Sequence, residues 1–226
     1  RPAERVLNWS RYQDIFLTER RVAGGIAFLR NHREALEAAE KKYGVPPEIV
    51  AAIIGVETMY GSITGGYRVL DALSTLAFDY PPRSSFFRSE LKQFILLVRE
   101  ERQMITELTG SYAGAMGLGQ FIPSSYRAYA VDFDGDGFRD IWNNPTDAIG
   151  SVANYLSRHG WLRDEKIALR VEAGGLPQNI FNVSLKPSKS IGELLSLGLY
   201  VIPLRSDEMV SPMRLVGKSG DEFWLG

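Results

Sequence analysis

The sequence predicts a mainly α protein with a smaller α+β segment towards its C-terminal end. Up to about residue 160, apolar residues recur at the spacing of amphipathic helices. Beyond residue 161, alternating patterns and β-branched residues indicate short strands. The 226 residues are 45% apolar and 23% charged, as is typical of a globular protein rather than a disordered one. We therefore predict a helical core with N-terminal helices over residues 1–160 and an α+β module over residues 161–226.

The helical elements follow from apolar spacing and from residues that begin or end a helix. Gly44 is expected to end the first long helix, because glycine readily adopts the left-handed conformation found after a helix C-terminus. Pro46-Pro47-Glu48 is typical of a helix start, where proline fits the first turn and an acid favours the positive end of the dipole. The run Ile49–Val56 is apolar on every side, so its helix is expected to be buried. The predicted helices are Glu19–Lys42, the segment that starts at Pro47, Ser84–Arg102, Ser124–Tyr129 and Thr146–His159.

The C-terminal module is predicted from short segments with strand character. Gly217-Lys218-Ser219-Gly220 is typical of a tight turn between two strands. One short helix, Ser190–Leu197, separates the strand segments. The predicted strand segments are Lys166–Glu172, Leu199–Leu204 and Met213–Leu225.

Charge and composition exclude several classes of function. The 26 Lys and Arg residues nearly balance the 27 Asp and Glu residues, and the formal net charge is −1. Such a chain lacks the broad basic surface that binding to nucleic-acid phosphates needs, so we predict no nucleic-acid partner. Because the sequence contains no cysteine, disulfides, thiolate metal sites and cysteine nucleophiles are excluded. The first residue is Arg1 rather than Met, so we expect a mature or trimmed form of the protein.

Acidic residues cluster in the segment Asp132–Asp140, and its first part fits the calcium-loop pattern D-x-[DN]-x-[DN]-G. In that pattern alternate side chains converge on Ca²⁺, which prefers about six to eight oxygen ligands. The twelfth position is Asn143 rather than the usual glutamate, and Asp147 on the next helix can supply the missing carboxylate. We predict a structural Ca²⁺ site in an EF-hand-like loop; the alternative is an acidic surface turn without a metal. The predicted ligands are Asp132, Asp134, Asp136, the Phe138 carbonyl and Asp147.

Glu57 follows the apolar run and is the candidate catalytic acid. A carboxyl at the end of a buried helix is desolvated, which raises its pKa and favours the protonated form. Cleavage of a glycosidic bond needs such a group, because the leaving oxygen must receive a proton. The alternative is an ordinary glutamate at a helix C-terminus that points to solvent.

A second candidate segment, Ser111–Tyr126, is rich in glycine and alanine before the sequence Gln-Phe-Ile-Pro-Ser. Small residues let a backbone approach closely and can form a thin cleft wall. The side chains of Ser111 and Gln120 can hydrogen-bond amide and hydroxyl groups of a ligand. The alternative is tight helix packing through small residues.

Several motifs occur together in this chain. They are G-V-E-T-x-x-G from Gly55, G-S-x-A-G-A-M-G-x-G-Q-F-x-P-S-S-Y from Gly110, D-F-x-G-D-G from Asp132 and D-A-I-G-S-V-A-N-Y from Asp147. In this combination they closely resemble the lytic transglycosylases of the membrane-bound and soluble lytic transglycosylase B type. The resemblance runs from about Tyr12 to Trp161, and more loosely to the end of the chain.

The resemblance implies a lysozyme-like core that cleaves the β-1,4 bond between N-acetylmuramic acid and N-acetylglucosamine in peptidoglycan. The C6 hydroxyl of the muramoyl residue attacks its own anomeric carbon, which leaves a 1,6-anhydromuramoyl product. Glu57 corresponds to the family's single catalytic acid and base. The cleft residues correspond to Tyr12, Ser111, Gln120 and Tyr155, and the calcium ligands to the residues predicted above. We expect the periplasm of a Gram-negative bacterium, with the protein soluble or lipid-anchored to the outer membrane.

The resemblance also concerns partners and the extent of the chain. Peptidoglycan glycan strands are the expected partner, and cell-wall synthesis proteins stay open as further partners. Family members continue from an aromatic stretch like Phe223-Trp224 into a segment with further cleft tyrosines, which we expect this chain to lack.

Two other functions are left open by the residues. A hydrolytic muramidase would need a second carboxylate, about 5–5.5 Å from the first for retention or about 6.5–9.5 Å for inversion. Asp71 and Asp79 are the nearest acids downstream of Glu57, and Asp71 is predicted to be a helix cap. A non-catalytic peptidoglycan-binding protein is the other alternative, and the apolar setting of Glu57 argues against it.

Overall fold

The computed structural model describes residues 7–173, 175–199 and 205–226. The chain divides into two compact units. One is Glu19–Arg163, here called the helical unit, and the other joins the segment before Glu19 to Asp164–Gly226. This second unit is called the mixed unit. The domains proposed from the sequence, 1–160 and 161–226, stay a prediction.

The predicted fold class, mainly α with small sheets, is confirmed. Along the described residues the helices are α1 Trp9–Phe16, α2 Glu19–Asn31, α3 Arg33–Tyr43, α4 Pro47–Thr58, α5 Val69–Phe78, α6 Ser84–Glu100, α7 Pro123–Tyr129, α8 Pro145–Arg158 and α9 Ile191–Ser196. The strands are β1 Tyr67–Arg68, β2 Thr109–Gly110, β3 Leu169–Val171, β4 Lys189–Ser190, β5 Met209–Val210, β6 Pro212–Gly217 and β7 Gly220–Leu225. Within the described ranges, no helix is both long enough and apolar enough to cross a membrane.

The predicted helix Glu19–Lys42 is two helices, α2 and α3, separated at His32. His32 has φ −117° and ψ 25°, outside the helical range, and its ring contacts Phe28 at 4.5 Å between centroids. Gly44 ends α3 with a φ of 76°, and α4 begins at Pro47, as the sequence predicted. Phe28 on α2 and Leu36 on α3 are both buried in the core, one on each side of the break.

Helix α4 is less buried than its composition predicted. Its side chains at Val50 and Ile54 are fully buried, but Val56 is 45% exposed and Glu57 is exposed as well. The expectation of burial on every side is therefore wrong. Helices α2, α3 and α8 cover only part of the surface of α4. The side of α4 that carries Glu57 faces a cavity, which makes Glu57 accessible.

The core of the helical unit extends beyond the helices into the loops. Met116 and Ile141, which lie between helices, are fully buried in the same apolar cluster as α4, α6 and α8. Tyr126 on α7 is also fully buried, and its hydroxyl donates to the Arg139 carbonyl at 2.6 Å. These buried contacts hold the segment after α7 against the core.

The mixed unit contains a three-stranded antiparallel sheet in the order β3-β7-β6. Gly217 pairs with Gly220 across a two-residue turn, which confirms the predicted turn. Helix α9 begins with a capping box formed by Ser190 and Glu193, close to the predicted start. The predicted strand Leu199–Leu204 lies outside the described residues apart from Leu199, which is buried.

Candidate active site

A cavity of about 410 Å³ lies entirely within the helical unit. Three segments form its walls: the last turns of α4, the loop that leads into α7, and the second half of α8. The lining residues are Ile53, Glu57, Gly119, Gln120, Phe121, Ile122, Ser125, Val152, Tyr155 and Leu156. Most of these side chains are apolar, so the few polar groups have largely apolar neighbours.

Glu57 is the one carboxylate among the residues that line this cavity. It lies one helical turn after Ile53, so both side chains project from the same side of α4. Desolvation by burial raises the pKa of Glu57 above its ordinary value. The side chain as a whole is exposed, because it faces the open cavity, while its apolar surroundings still withdraw water from the charged form. Glu57 is thus both accessible to a ligand and more easily protonated than a surface glutamate.

The glycine-rich segment forms the opposite wall through close backbone approach. Gly117 has a φ of 68°, and a methyl group there would lie 2.5 Å from the Ile141 carbonyl oxygen. A methyl group at Gly119 would lie 2.8 Å from the Phe121 ring and 2.9 Å from Val152. Only glycine fits these positions without displacing a neighbour. Small residues therefore allow the close backbone approach that the sequence predicted, but in a loop rather than in a packed helix.

Gln120 lies on this wall in a strained backbone conformation, with a φ of 51°. Its Nε2 donates to the carbonyl oxygens of Thr64 at 3.2 Å and Gly117 at 3.0 Å. Positive φ is uncommon outside glycine and costs free energy, and such strain clusters at functional sites. The two hydrogen bonds hold the amide in one orientation beside the cavity.

Thr58, next to Glu57, connects α4 to the glycine-rich wall. Its side chain is 1% exposed, and its hydroxyl lies 2.9 Å from the Leu118 carbonyl oxygen and 3.1 Å from that of Ile54. The same hydroxyl accepts a hydrogen bond from the Gly61 N–H at 3.1 Å. This buried hydrogen-bonded group fixes the distance between the end of α4 and the opposite wall.

Tyr155 on α8 lines the cavity and belongs to an aromatic cluster. Its ring makes edge contacts with Phe121 at 5.9 Å and Tyr129 at 5.2 Å between centroids. His159, one turn later, stacks on Tyr155 at 4.0 Å. Aromatic neighbours on several sides restrict the rotation of the Tyr155 ring, so it presents a fixed surface to the cavity.

Ser111 and Tyr12 are not among the residues that line the cavity. Ser111 accepts hydrogen bonds at Oγ from the backbone N–H groups of Ala113 at 3.3 Å and Ala115 at 3.1 Å, which shapes the glycine-rich loop. Tyr12 belongs to the mixed unit, where its ring contacts Trp9 and Phe16. Their predicted roles in substrate binding stay predictions.

Asp71 is not a helix cap, contrary to the sequence prediction. The N-cap of α5 is Arg68, and Asp71 is the third residue of the helix. Its carboxylate pairs with the Arg68 guanidinium at 2.6 Å on the surface. An acid in the first turn interacts favourably with the positive end of the helix dipole without capping the helix. Asp71 is not among the residues that line the cavity.

The acidic loop brings some of the predicted metal ligands together. One carboxylate oxygen from each of Asp132, Asp134 and Asp147 lies within 4.8 Å of the others. Asp136 is in the same loop, where its Oδ1 accepts from the Phe138 N–H at 2.9 Å. Predicted ligation by Asp136 and by the Phe138 carbonyl stays a prediction.

The residues present fit a hard divalent cation. Asp147 is fully buried, and its two carboxylate oxygens accept backbone N–H groups from Phe133 at 2.7 Å and Asp140 at 2.9 Å. Burial raises the pKa of Asp147, whereas the hydrogen bond from Asn144 lowers the pKa of Asp134. Each oxygen of the Asp147 carboxylate accepts one of these N–H groups and so keeps a lone pair for an ion. An all-oxygen donor set in a glycine-containing loop suits Ca²⁺ rather than a softer metal.

Some site residues were not predicted from the sequence. Phe121 and Ser125 line the cavity, and Asn144 donates to Asp134 Oδ2 at 2.7 Å. Asn144 also accepts from the N–H groups of Thr146 and Asp147 as the N-cap of α8. The signal for Asn144 was its place before a proline at a helix start, whereas nothing local distinguishes Phe121 from an ordinary core aromatic.

A protein-family model described as the transglycosylase SLT domain matches this chain over residues 1–226. A curated relative, membrane-bound lytic murein transglycosylase B of Escherichia coli K12, is 45% identical over 221 residues. The match covers 96% of this chain and 60% of the relative, so this chain spans about three fifths of that protein's length.

Solved structures show the same similarity. Soluble lytic transglycosylase SltB1 from Pseudomonas aeruginosa is 53% identical with a TM-score of 0.95, over 100% of this chain and 76% of that one. Escherichia coli lytic transglycosylase Slt35, solved with calcium, is 45% identical with a TM-score of 0.87, over 96% and 68%. SltB3 from Pseudomonas aeruginosa, solved with NAG-anhNAM-pentapeptide, is 35% identical with a TM-score of 0.82, over 100% and 60%.

Proposed function

Since the chain belongs to the transglycosylase SLT domain family, we propose that it is a peptidoglycan lytic transglycosylase. The bond cleaved is the β-1,4 linkage between N-acetylmuramic acid and N-acetylglucosamine, and the product carries a 1,6-anhydromuramoyl end. The observation that carries this proposal is the single carboxylate, Glu57, among the residues lining the cavity. Two-carboxylate hydrolases place a second acid within about 5–9.5 Å of the first, across the scissile bond.

In the first step, protonated Glu57 donates its proton to the glycosidic oxygen while the bond from that oxygen to the muramoyl C1 breaks. The raised pKa of Glu57 favours the protonated starting form. The N-acetylglucosamine part leaves with a free hydroxyl. The substrate's own N-acetyl group can stabilise the positive charge at C1, as in substrate-assisted glycosidases.

In the second step, Glu57 acts as a base. Its carboxylate takes the proton from the C6 hydroxyl as O6 bonds to C1, which closes the anhydro ring. The carboxyl returns to its starting form and no water is consumed. One residue can therefore serve both steps, because the proton given in the first is recovered in the second.

Gln120 and Tyr155 are proposed to bind the sugar rings. Gln120 is held by hydrogen bonds to Thr64 and Gly117, and Tyr155 is held by aromatic neighbours. An amide suits the N-acetyl and hydroxyl groups of the glycan, and an aromatic ring suits a sugar face. SltB3, solved with an anhydromuramoyl peptide, supports this class of ligand.

Ca²⁺ is proposed to bind in the acidic loop with a structural role. Asp132, Asp134 and Asp147 would hold it, with Asp136 and the Phe138 carbonyl as further ligands. When bound, the ion neutralises carboxylates that otherwise repel one another. Slt35 solved with calcium supports this assignment.

The proposed place of action is the periplasm, where peptidoglycan is accessible. One relative is named membrane-bound and another soluble. Both forms are consistent with an enzyme that acts on the cell wall.

Product analysis tests the reaction type directly. We expect purified sacculi digested with the protein to release muropeptides that are one water lighter than reducing-end products, because O6 rather than water attacks C1. Liquid chromatography with mass spectrometry separates the two products. A hydrolytic muramidase would yield the reducing-end form, and binding to sacculi without release would indicate a non-catalytic protein.

The raised pKa of Glu57 gives a prediction for the pH profile. The general acid must be protonated in the free enzyme, so kcat/KM should fall as pH rises through the folded-state pKa of Glu57. Because burial raises this pKa, the fall should begin at a higher pH than for an ordinary glutamate, and each further pH unit should cost about tenfold. Initial rates of muropeptide release, measured over a range of pH, give this falling part of the profile. A fall centred at the ordinary glutamate pKa would contradict the assignment.

A further inference from the structure

Helix α4 ends in two consecutive non-glycine residues in the left-handed region. Met59 has a φ of 50° and Tyr60 a φ of 57°. Their N–H groups bond back to the carbonyls of Gly55 at 3.2 Å and Ile54 at 3.3 Å, which closes the helix end that carries Glu57. Each such residue costs free energy and persists only where the surroundings impose the conformation.

Three glycines, Gly24, Gly25 and Gly55, form a slot that holds the Tyr60 ring and so imposes this backbone conformation. A methyl group at Gly55 on α4 would lie 2.5 Å from the Tyr60 hydroxyl oxygen. Methyl groups at Gly24 and Gly25 on α2 would lie 2.9 Å and 2.6 Å from atoms of the same side chain. The Tyr60 side chain therefore fills the space that side chains would occupy between two packed helices.

Further contacts hold the Tyr60 side chain at its far end. Its hydroxyl donates to the Arg21 carbonyl oxygen at 3.0 Å, and its ring contacts Phe28 at 5.5 Å between centroids. Burial raises the pKa of Tyr60, so the hydroxyl stays a neutral donor. Residues of α2 therefore contact both the ring and the hydroxyl of Tyr60.

We propose that Tyr60 is a positioning residue for Glu57, acting as a wedge between α2 and α4. Gly55, which touches the Tyr60 side chain, is two residues before Glu57, and Tyr60 itself is three residues after it. The wedge therefore fixes the backbone on both sides of Glu57 relative to α2. Displacement of a catalytic group by about 1 Å can cost about 100-fold in rate. This inference rests on the proposed function, in which Glu57 is the acid and base.

The test perturbs the wedge from the side that is distant from Glu57 in sequence. Gly24→Ala adds a methyl group on α2 that meets the Tyr60 ring, and alanine has a higher helix propensity than glycine. We expect kcat for muropeptide release to fall about fivefold or more, with KM changed less than about twofold, because binding groups elsewhere are untouched. Gly66→Ala, where no atom lies within 4 Å of the added methyl, is the matched control and should leave kcat unchanged.

A double-mutant cycle shows whether the effect passes through Tyr60. Tyr60→Leu removes the ring and should lower kcat about tenfold or more, whereas Tyr60→Phe keeps the ring and should retain most of kcat. In the Tyr60→Leu background, Gly24→Ala should have no further effect, because its methyl group has lost the ring it displaces. Effects that multiply, or a Gly24→Ala rate equal to that of Gly66→Ala, would overturn the proposal.

A readout independent of activity separates this proposal from the proposed function. The Glu57 carboxyl is titrated by carbon-13 NMR, with Glu57→Gln used to assign its signal. Gly24→Ala and Tyr60→Leu should lower the Glu57 pKa towards the ordinary value, because a looser helix end lets water reach the carboxyl. Tyr60→Phe and Gly66→Ala should not. Unchanged titration in all four variants contradicts positioning, whereas native protein that titrates as expected but releases no muropeptides contradicts only the proposed function.

Discussion

Glu57→Gln should abolish the release of muropeptides from sacculi, with kcat lowered by about 100- to 10,000-fold. The amide is nearly the same shape as the carboxyl, so the substrate still enters the cavity. It can neither give a proton to the glycosidic oxygen nor take one from the C6 hydroxyl. Both steps therefore lose their only proton donor and acceptor, and mass spectrometry of the digest should show no anhydro products above background.

The same substitution should leave thermal stability unchanged or higher at neutral pH. Burial raises the folded-state pKa of Glu57, so ionisation costs more in the folded chain than in the unfolded chain. This cost is absent below the unfolded-state pKa and grows as pH rises towards the folded-state pKa. Glutamine removes it, so the stability gain should be present at neutral pH and vanish in acid. Thermal melts of both proteins at several pH values measure this difference.

Asp71→Asn is the matched control for this experiment. Asp71 is an exposed acid on a neighbouring helix, paired with Arg68, and is not among the residues that line the cavity. We expect its rate to stay near that of the native chain, since an exposed ion pair contributes little to stability. Activity lost with Asp71→Asn would point to a two-carboxylate hydrolase. Substantial activity kept by Glu57→Gln would contradict Glu57 as the acid and base.

Ca²⁺ should raise the melting temperature, and a chelator should reverse the rise. An ion that binds only the folded state at 100 times its Kd stabilises by about 2.7 kcal/mol. For a chain of this size that corresponds to a rise of about 5–10 °C. The physical reason is the close group of Asp132, Asp134 and Asp147 carboxylates, whose repulsion the ion relieves. Differential scanning fluorimetry with chelator and with added Ca²⁺ measures the shift.

Asp147→Asn should lose this response to Ca²⁺. Asp147 is the buried member of the group and joins the loop to α8. Asp207→Asn, at an exposed position in the mixed unit paired with Arg205, is the control and should keep the full response. Equal melting temperatures with and without Ca²⁺ in the native chain would refute the site, and a full response in Asp147→Asn would refute Asp147 as a ligand.

Local signals predicted most of the elements because their causes are local. Gly44 ends α3 with a positive φ, and Gly217 and Gly220 flank the predicted turn of the β6–β7 hairpin. The start of α4 at Pro47 was also predicted, since proline suits the first turn of a helix. In each case the preference belongs to the residue itself and to its immediate neighbours.

Errors arose where packing between distant segments decides the outcome. The break at His32 and the partial exposure of α4 depend on which other helices cover each surface. Aspartate is a common N-cap residue, but Asp71 lies within the first turn because α5 begins at Val69. Apolar periodicity predicts that a side is buried, but it does not tell how many neighbours will cover it.

The sequence by itself determined the fold class, the family, the acidic loop and Glu57 as the candidate acid. These predictions rest on local patterns and on motifs that can be recognised in the sequence without knowledge of the structure. Only the tertiary structure decided that Glu57 is accessible in a cavity that it shares with Gln120 and Tyr155, and that Tyr60 fills a slot between two helices. The desolvation of Glu57 and the packing of Tyr60 between two helices depend on groups that are tens of residues apart in the sequence. Such groups come close together only when the chain folds.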